Sequence, residues 1–117
     1  LAPSRAQAEK DLRRGIALSP NYGEGYFRLA TQLLDEPARR AEALELLDRA
    51  VAVDPLRPRY RLIQAGEQFR GDRDVDAMRA RLLEVLRLDP TFVNALQSLS
   101  RWIAIYGGEF AEAVGYA

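Results

Sequence analysis

One tripeptide pattern decides the fold and occurs three times, as Leu18-Ser19-Pro20, Val53-Asp54-Pro55 and Leu88-Asp89-Pro90. Each copy joins an apolar residue to a small polar residue and a proline, and the prolines are 35 residues apart in both intervals. Each copy also follows one run of apolar residues at helical spacing and precedes another. One helical hairpin for every ~34 residues is typical of a tandem helical repeat, so the sequence predicts a repeated, all-α fold.

The apolar residues between these prolines follow the period of an amphipathic helix. In the best example, Ala43, Leu47 and Ala50 share one face, whereas Glu45 and Arg49 lie on another. No segment alternates between apolar and polar residues over a useful length, so no strand is predicted. We expect seven helices, near residues 4–18, 21–34, 37–53, 58–70, 74–88, 91–106 and 109–116.

Helix-capping residues support these boundaries. Ser4 with Gln7, and Asn21 with Glu24, have the spacing of capping boxes, in which two side chains satisfy the free backbone N–H groups of a first turn. Asp74 stands where it can cap the helix that follows the glycine-containing turn near residue 71.

Composition excludes most catalytic and nucleic-acid-binding chemistry. The 117 residues include 17 basic and 17 acidic side chains, so the formal charge is zero and the basic excess typical of nucleic-acid binders is missing. The chain has no cysteine and no histidine, which rules out a Ser-His-Asp triad, a cysteine nucleophile and the usual zinc ligand sets. We therefore expect no enzyme activity, no catalytic residue, no cofactor and no metal.

Two short motifs imitate ligand sites and are rejected. Asp72–Asp76 starts like a calcium loop, but Ala77 and Leu83 stand where that loop needs glycine and glutamate. Gly23–Gly25 starts like a dinucleotide fingerprint, but Arg28 replaces its third glycine and no strand precedes it. A helix-capping turn explains the first motif better, and close packing or an adjustment of the turn after Pro20 explains the second.

The repeated pattern resembles that of the tetratricopeptide repeat (TPR) family, in which W-x2-L-G-x2-Y is followed by A-x3-F, A and P. The fullest copies are Tyr26-x2-Leu29-Ala30-x2-Leu33 with Ala43-x3-Leu47-x2-Ala50-x4-Pro55, and Leu62-x2-Ala65-Gly66-x2-Phe69 with Met78-x3-Leu82-x2-Val85-x4-Pro90. The likeness covers about residues 4–114. It places the small residues Ala30 and Gly66 where the two helices of a hairpin approach most closely.

This resemblance implies a right-handed α-α superhelix of TPR-like hairpins, with about three repeats and seven helices. Residues 1–117 then form a single TPR-like domain. Its parts are a half repeat at 4–20, repeats at 21–55 and 56–90, and a partial repeat at 91–117.

TPR arrays generally bind extended peptides or helices in a concave groove lined by the first helix of each repeat. Carried over position by position, the likeness assigns the following groove residues: Glu24, Phe27, Arg28, Thr31, Tyr60, Ile63, Glu67, Arg70, Asn94, Gln97 and Arg101. Chaperone-binding members hold a terminal carboxylate with Lys and Asn, but Phe27, Thr31, Ile63 and Gln64 stand at comparable positions here. We expect a non-catalytic scaffold or adaptor that binds a protein or peptide segment in the groove.

Two alternatives stay open. The chain begins with Leu1 rather than methionine and opens on a half repeat, which favours a regulatory or docking TPR segment of a larger bacterial enzyme or envelope polysaccharide-secretion protein. The second alternative is self-association as a homodimer through the C-terminal helices around Trp102, because Trp102 and Ile105 fall off the expected buried stripe.

Hydropathy predicts no membrane span, since no apolar run approaches the ~20 residues that a bilayer requires. We expect a soluble protein, cytoplasmic or periplasmic, and the sequence does not distinguish the two compartments.

Overall fold

The computed structural model describes residues 4–93 together with residues 97, 101 and 105. In this part of the chain the protein is all-helical and has no strand. Its helices are α1 (Arg5–Leu18), α2 (Gly23–Leu33), α3 (Arg40–Val53), α4 (Pro58–Asp72) and α5 (Val75–Leu88), with a short 3-10 helix at Pro37–Arg39. They form two compact units, Leu1–Leu56 and Arg57–Ala117.

Five of the seven expected helices are confirmed, within a few residues at each end. The sixth is described at Val93, Gln97, Arg101 and Ile105, each of which has helical backbone. The seventh, expected near residues 109–116, lies outside the described residues. A superhelix of seven helices and its right-handed sense stay predictions.

The three proline-containing turns have the same backbone geometry. In each, the residue before the proline leaves the helical conformation, with φ and ψ of −136° and 70° at Ser19, −136° and 77° at Asp54, and −150° and 97° at Asp89. Its N–H donates to the carbonyl four residues earlier, over 2.9 Å from Ser19 to Gly15, 3.0 Å from Asp54 to Ala50 and 3.1 Å from Asp89 to Val85. The 35-residue period of the sequence is therefore also a period of the backbone.

In the first unit, α2 and α3 pack as a hairpin around the predicted apolar stripes. The residues that this hairpin buries completely are Leu29, Ala30, Leu33, Ala43, Leu47 and Ala50. The Tyr26 hydroxyl donates to the Pro20 carbonyl over 2.7 Å, so a side chain of α2 holds the preceding turn. Full burial of apolar side chains is the main stabilising contribution to such a hairpin.

Helix α1 lies against α2 but has no buried residue. A Cβ atom added to Gly25 would lie 3.2 Å from Ile16 Cγ1, so the glycine allows the close approach of the two helices. Arg5 and Gln32 add reciprocal bonds, because each side chain donates to the backbone carbonyl of the other over 2.9 Å. Of the two explanations offered for Gly23–Gly25, close packing therefore applies to Gly25.

In the second unit, α4 and α5 form a hairpin around a smaller apolar cluster. Its buried members are Leu62, Ala65, Met78, Leu82 and Val85, and Phe69, Val75, Leu86 and Phe92 pack around them. The assignment of Gly66 to a close helix approach is wrong: a Cβ added there would meet no atom within 4 Å. Ala65, only 1% exposed, lies against the cluster instead.

The predicted N-cap residue is confirmed at two of three helices, although at residues 4 and 7 only the Ser4 half of the box is found, and the Gln7 amide donates to Asp11 Oδ1 over 3.0 Å. Ser4 Oγ accepts from the Gln7 N–H over 3.1 Å, and Asp74 Oδ1 accepts from the Ala77 N–H over 3.0 Å. The box at residues 21 and 24 is wrong, since Tyr22 is the N-cap of α2 and no side chain caps that helix. The Tyr22 N–H is instead bonded to the Ser19 carbonyl over 3.1 Å, which extends the proline turn and delays the helix to residue 23.

Candidate functional site

The structure groups three of the expected groove residues on one face of α2. Glu24, Arg28 and Thr31 follow the spacing i, i+4, i+7, which brings side chains to the same side of a helix. Arg28 Nε donates to Glu24 Oε1 over 3.2 Å, and Thr31 Oγ1 donates to the Arg28 carbonyl over 3.0 Å. Arg28 is largely exposed, so this face presents a charged, adjustable surface. Phe27, expected beside them as an anchor, is only 2% exposed and belongs to the interior.

On α4 the expected residues also share one face but differ in access. Tyr60 is 2% exposed, and the Arg57 guanidinium lies 5.9 Å from the centre of its ring. Glu67 is nearly buried, while its partner Arg70, 3.8 Å away, is exposed. Ile63 is half-buried. The accessible groups of this face are therefore a cation and part of an aliphatic side chain, whereas the aromatic ring is inside.

The remaining expected groove residues belong to the last described positions. Gln97 and Arg101 are exposed and helical, and Asn94 lies outside the described residues. The groove assignment stays a prediction, and the burial of Phe27 and Tyr60 restricts its contact surface to the polar and aliphatic positions.

A four-residue ionic cluster links α1 to the start of α3. Arg39 donates to both Glu9 oxygens and, over 3.2 Å, to Glu42. Arg13 donates to Glu9 over 2.9 Å and to Glu42 over 2.8 Å. The Arg39 guanidinium, followed by that of Arg13, lowers the pKa of Glu9 from 4.5 to about 2, and Arg13 first and then Arg39 lower the pKa of Glu42. Carboxylates held so firmly in the ionised form are poor proton donors at neutral pH, which favours a structural role.

In the acidic turn between α4 and α5, the Asp72 and Asp74 side chains accept hydrogen bonds from nearby residues. Asp72 Oδ1 accepts from the Asp74 N–H over 2.9 Å, and Asp72 Oδ2 accepts from Arg81 Nη2 over 2.8 Å. Arg81 first, and then the Asp74 N–H, lower the pKa of Asp72. Within the described residues no group of acidic side chains is arranged to hold a metal ion.

A cleft of about 270 Å³ opens between α4 and α5, and sequence reasoning missed it. Its lining consists of Arg61, Gln64, Ala65, Gln68, Ala80, Arg81 and Glu84. The available signal was the spacing of 61, 64 and 68 along one polar face of α4. The TPR likeness places Gln64 at a groove position, and the sequence does not show which residues of α5 face these three positions.

No protein-family model matches the chain, and no curated protein sequence matches it either. Membership of the TPR family therefore stays a prediction from the residue pattern. None of the helices in the described ranges is long and apolar enough to cross a membrane.

Proposed function

We propose that the protein is a non-catalytic, TPR-like scaffold that binds a segment of another protein on the first helices of its hairpins. The recurrence of one turn geometry at Ser19, Asp54 and Asp89 is the observation that carries the proposal. Tandem helical hairpins build extended surfaces from equivalent helices, and such surfaces are used for binding rather than for chemistry.

The described helices offer suitable contact groups for an extended peptide. In the first unit, α2 offers the cation of Arg28 and the hydroxyl of Thr31, and in the second unit, α4 offers the aliphatic side chain of Ile63 and the cation of Arg70. Peptide recognition by a groove needs a few anchors surrounded by polar contacts, and most binding energy resides in a minority of positions. The interior positions of Phe27 and Tyr60 assign them to shaping these helices rather than to touching the partner.

Selection of peptides from a random display library against the whole 117-residue chain tests the proposal. Binding of the selected peptides is then measured for Arg28→Glu, Ile63→Asp and a control, Arg49→Glu, which changes an exposed arginine on α3. We expect the first two variants to weaken binding about tenfold or more, since each reverses or adds a charge at a contact position. The control is expected to bind like the parent chain.

Two results would contradict this function. The first is failure of the folded chain to enrich any peptide above an unrelated helical protein of similar size. The second is an equal affinity of all three variants and the parent, which would move the contact surface away from α2 and α4. Circular dichroism of each variant verifies that the helices are intact before binding is compared.

Self-association is a second candidate, favoured by the last described positions. Val93, Gln97, Arg101 and Ile105 are all exposed, and their four-residue spacing places them along one side of a helix. Ile105, at 65% exposure, supplies an apolar contact on that side. Sedimentation velocity over a hundredfold range of concentration tests this candidate with the parent chain and Ile105→Asp. A parent chain that stays strictly monomeric would exclude it.

A further inference from the structure

The cleft between α4 and α5 has the features of a site for one acidic side chain. It lies within the second unit, and its volume of about 270 Å³ is close to the lower limit of small-ligand pockets, about 300 Å³. That size suits a single side chain rather than a cofactor. The cleft exists because two alanines occupy its walls: Ala65 on α4 is almost completely buried, and Ala80 on α5 is exposed at its edge.

Arg81, which lines this cleft, has a hydrogen-bond donor without an acceptor. Its Nη2 donates to Asp72 Oδ2 over 2.8 Å, but its Nη1 is fully buried and has no acceptor. It is the one side-chain nitrogen or oxygen in this condition among the residues that the structure describes. A buried donor without an acceptor is unfavourable, and a guanidinium has five N–H groups in a planar fork. Binding of a group that supplies a hydrogen-bond acceptor to Arg81 Nη1 is therefore favoured.

The other polar groups of the cleft are compatible with a carboxylate. Gln64 and Gln68 carry amide donors, and Arg61 carries a second guanidinium. Glu84 is the one acidic residue of the lining, and its carboxylate is engaged by Arg87 Nη1 over 3.2 Å. A guanidinium N–H donates a strong, charge-assisted hydrogen bond to a carboxylate, and Nη1 is the Arg81 nitrogen that Asp72 leaves without an acceptor.

We propose that this cleft binds the carboxylate of an aspartate or glutamate side chain of a peptide partner. Because Arg81 Nη1 is fully buried in the unbound chain, the guanidinium turns, with a shift of its bond to Asp72, to bring Nη1 to the incoming carboxylate. About a quarter of the Arg81 side chain is exposed, so the guanidinium has room to turn. The inference rests on the proposed scaffold function and adds to it the chemical class of one partner residue.

The test uses two short probes, acetyl-Gly-Glu-Gly-amide and acetyl-Gly-Gln-Gly-amide, with the whole chain. Binding is followed by the side-chain NMR signals of the arginines and glutamines. We expect the Glu probe to bind saturably and to shift the signals of Arg81, Gln64 and Gln68. The Gln probe should bind about tenfold more weakly, the effect of losing one charge-assisted hydrogen bond.

Three variants locate the site. Arg81→Gln removes the guanidinium, and Ala80→Leu fills the cleft from an exposed position that leaves the core unchanged. Both variants should bind the Glu probe at least about tenfold more weakly than the parent chain. The control is Arg79→Gln on the same helix, whose guanidinium pairs with Asp76 over 2.9 Å and does not line the cleft; it should bind the probe like the parent.

Several outcomes would overturn the inference. They are equal binding of the two probes, undiminished binding by Ala80→Leu, and an affinity for sodium acetate equal to that for the Glu probe. If the Glu probe fails while display-selected peptides still depend on Arg28 and Ile63, the carboxylate site is wrong and the scaffold function stands. If neither kind of peptide binds, both are wrong.

Discussion

Glu9 and Arg39 are 30 residues apart in the sequence and are joined by two hydrogen bonds, of 2.5 and 2.6 Å, between the guanidinium and both carboxylate oxygens. This pair connects α1 with the residues just before α3. Although α1 has no buried residue, Ile16 packs close to Gly25 of α2, so the ionic pair adds to an apolar contact. The first unit therefore combines an apolar hairpin with a helix that is attached through both ion pairs and half-buried apolar side chains.

The first prediction concerns acid stability. Arg39 and Arg13 lower the pKa of Glu9 from 4.5 to about 2, so the unfolded chain takes up this proton at a higher pH than the folded chain. The stabilisation is fully present above about pH 4.5 and is lost as the pH falls through about 2. We expect the urea midpoint to be constant from about pH 7 to 5 and then to decline.

Glu9→Gln should make that decline visibly shallower, while Glu45→Gln, at an exposed position of α3, should leave it unchanged. Urea unfolding at several pH values, followed by helical circular dichroism, measures both. Some decline remains in Glu9→Gln because the pKa values of Glu42 and Asp72 are also lowered. Superimposable profiles for Glu9→Gln and the parent would show that the ionic cluster does not stabilise the fold.

The second prediction compares two glycines. Gly66→Ala should raise the free energy of unfolding by about 0.5–1 kcal/mol, because alanine has the higher helix propensity and its Cβ meets no atom within 4 Å. Gly25 lies in the first turn of α2, where helix propensity counts for less, and a Cβ there lies 3.2 Å from Ile16 Cγ1, so the Ile16 side chain must move and the gain from Gly25→Ala should be smaller or absent. Chemical denaturation ranks the two variants. A larger gain for Gly25→Ala would contradict the close contact.

The third prediction tests the core of the second unit. Leu82 is fully buried in the α4–α5 cluster, so Leu82→Ala should lower the free energy of unfolding by about 2–5 kcal/mol through lost burial and a residual cavity. Leu56 is 72% exposed, and Leu56→Ala should change the free energy of unfolding by less than about 0.5 kcal/mol. The same denaturation experiment applies to both. Similar effects of the two substitutions would mean that position 82 is not in the core.

The fourth prediction concerns the start of α5. Asp74→Ala removes the acceptor of the Ala77 N–H and should lower the free energy of unfolding by about 0.5–2 kcal/mol. Asp74→Ser keeps an oxygen in reach and should retain most of the stability. Amide hydrogen exchange at Ala77 provides a local measurement. We expect this exchange to be faster in Asp74→Ala than in the parent chain or in Asp74→Ser. Unchanged exchange in Asp74→Ala would mean that this bond does not protect the first turn.

The sequence predicted the helices well because their determinants are local. Apolar spacing placed α1 to α5, and the Asp74 and Ser4 caps depend on atoms within three residues of each other. Asn21 was wrongly predicted as an N-cap because the turn that begins at Ser19 extends to Tyr22 through a backbone hydrogen bond. The residue types do not indicate that bond.

The candidate sites were less predictable because they depend on which helix faces meet. Phe27 and Tyr60 are consistent with either an exposed groove or an interior in the repeat pattern, and only packing assigns them to the interior. The Asp72–Arg81 pair joins residues 9 positions apart, and the Glu9–Arg39 pair joins residues 30 positions apart. The properties of single residues do not predict such pairs.

The equivalence of the backbone at Ser19, Asp54 and Asp89 has a consequence for how the chain can change in length. Removing residues 20–54 would join Ser19 to Pro55, and the new junction would keep the same tripeptide pattern and the same local bond to Gly15. Duplicating that segment would reproduce the junction once more. The local backbone at each turn is thus compatible with insertion or removal of whole 35-residue segments, because the hydrogen bond that closes the turn spans only four residues.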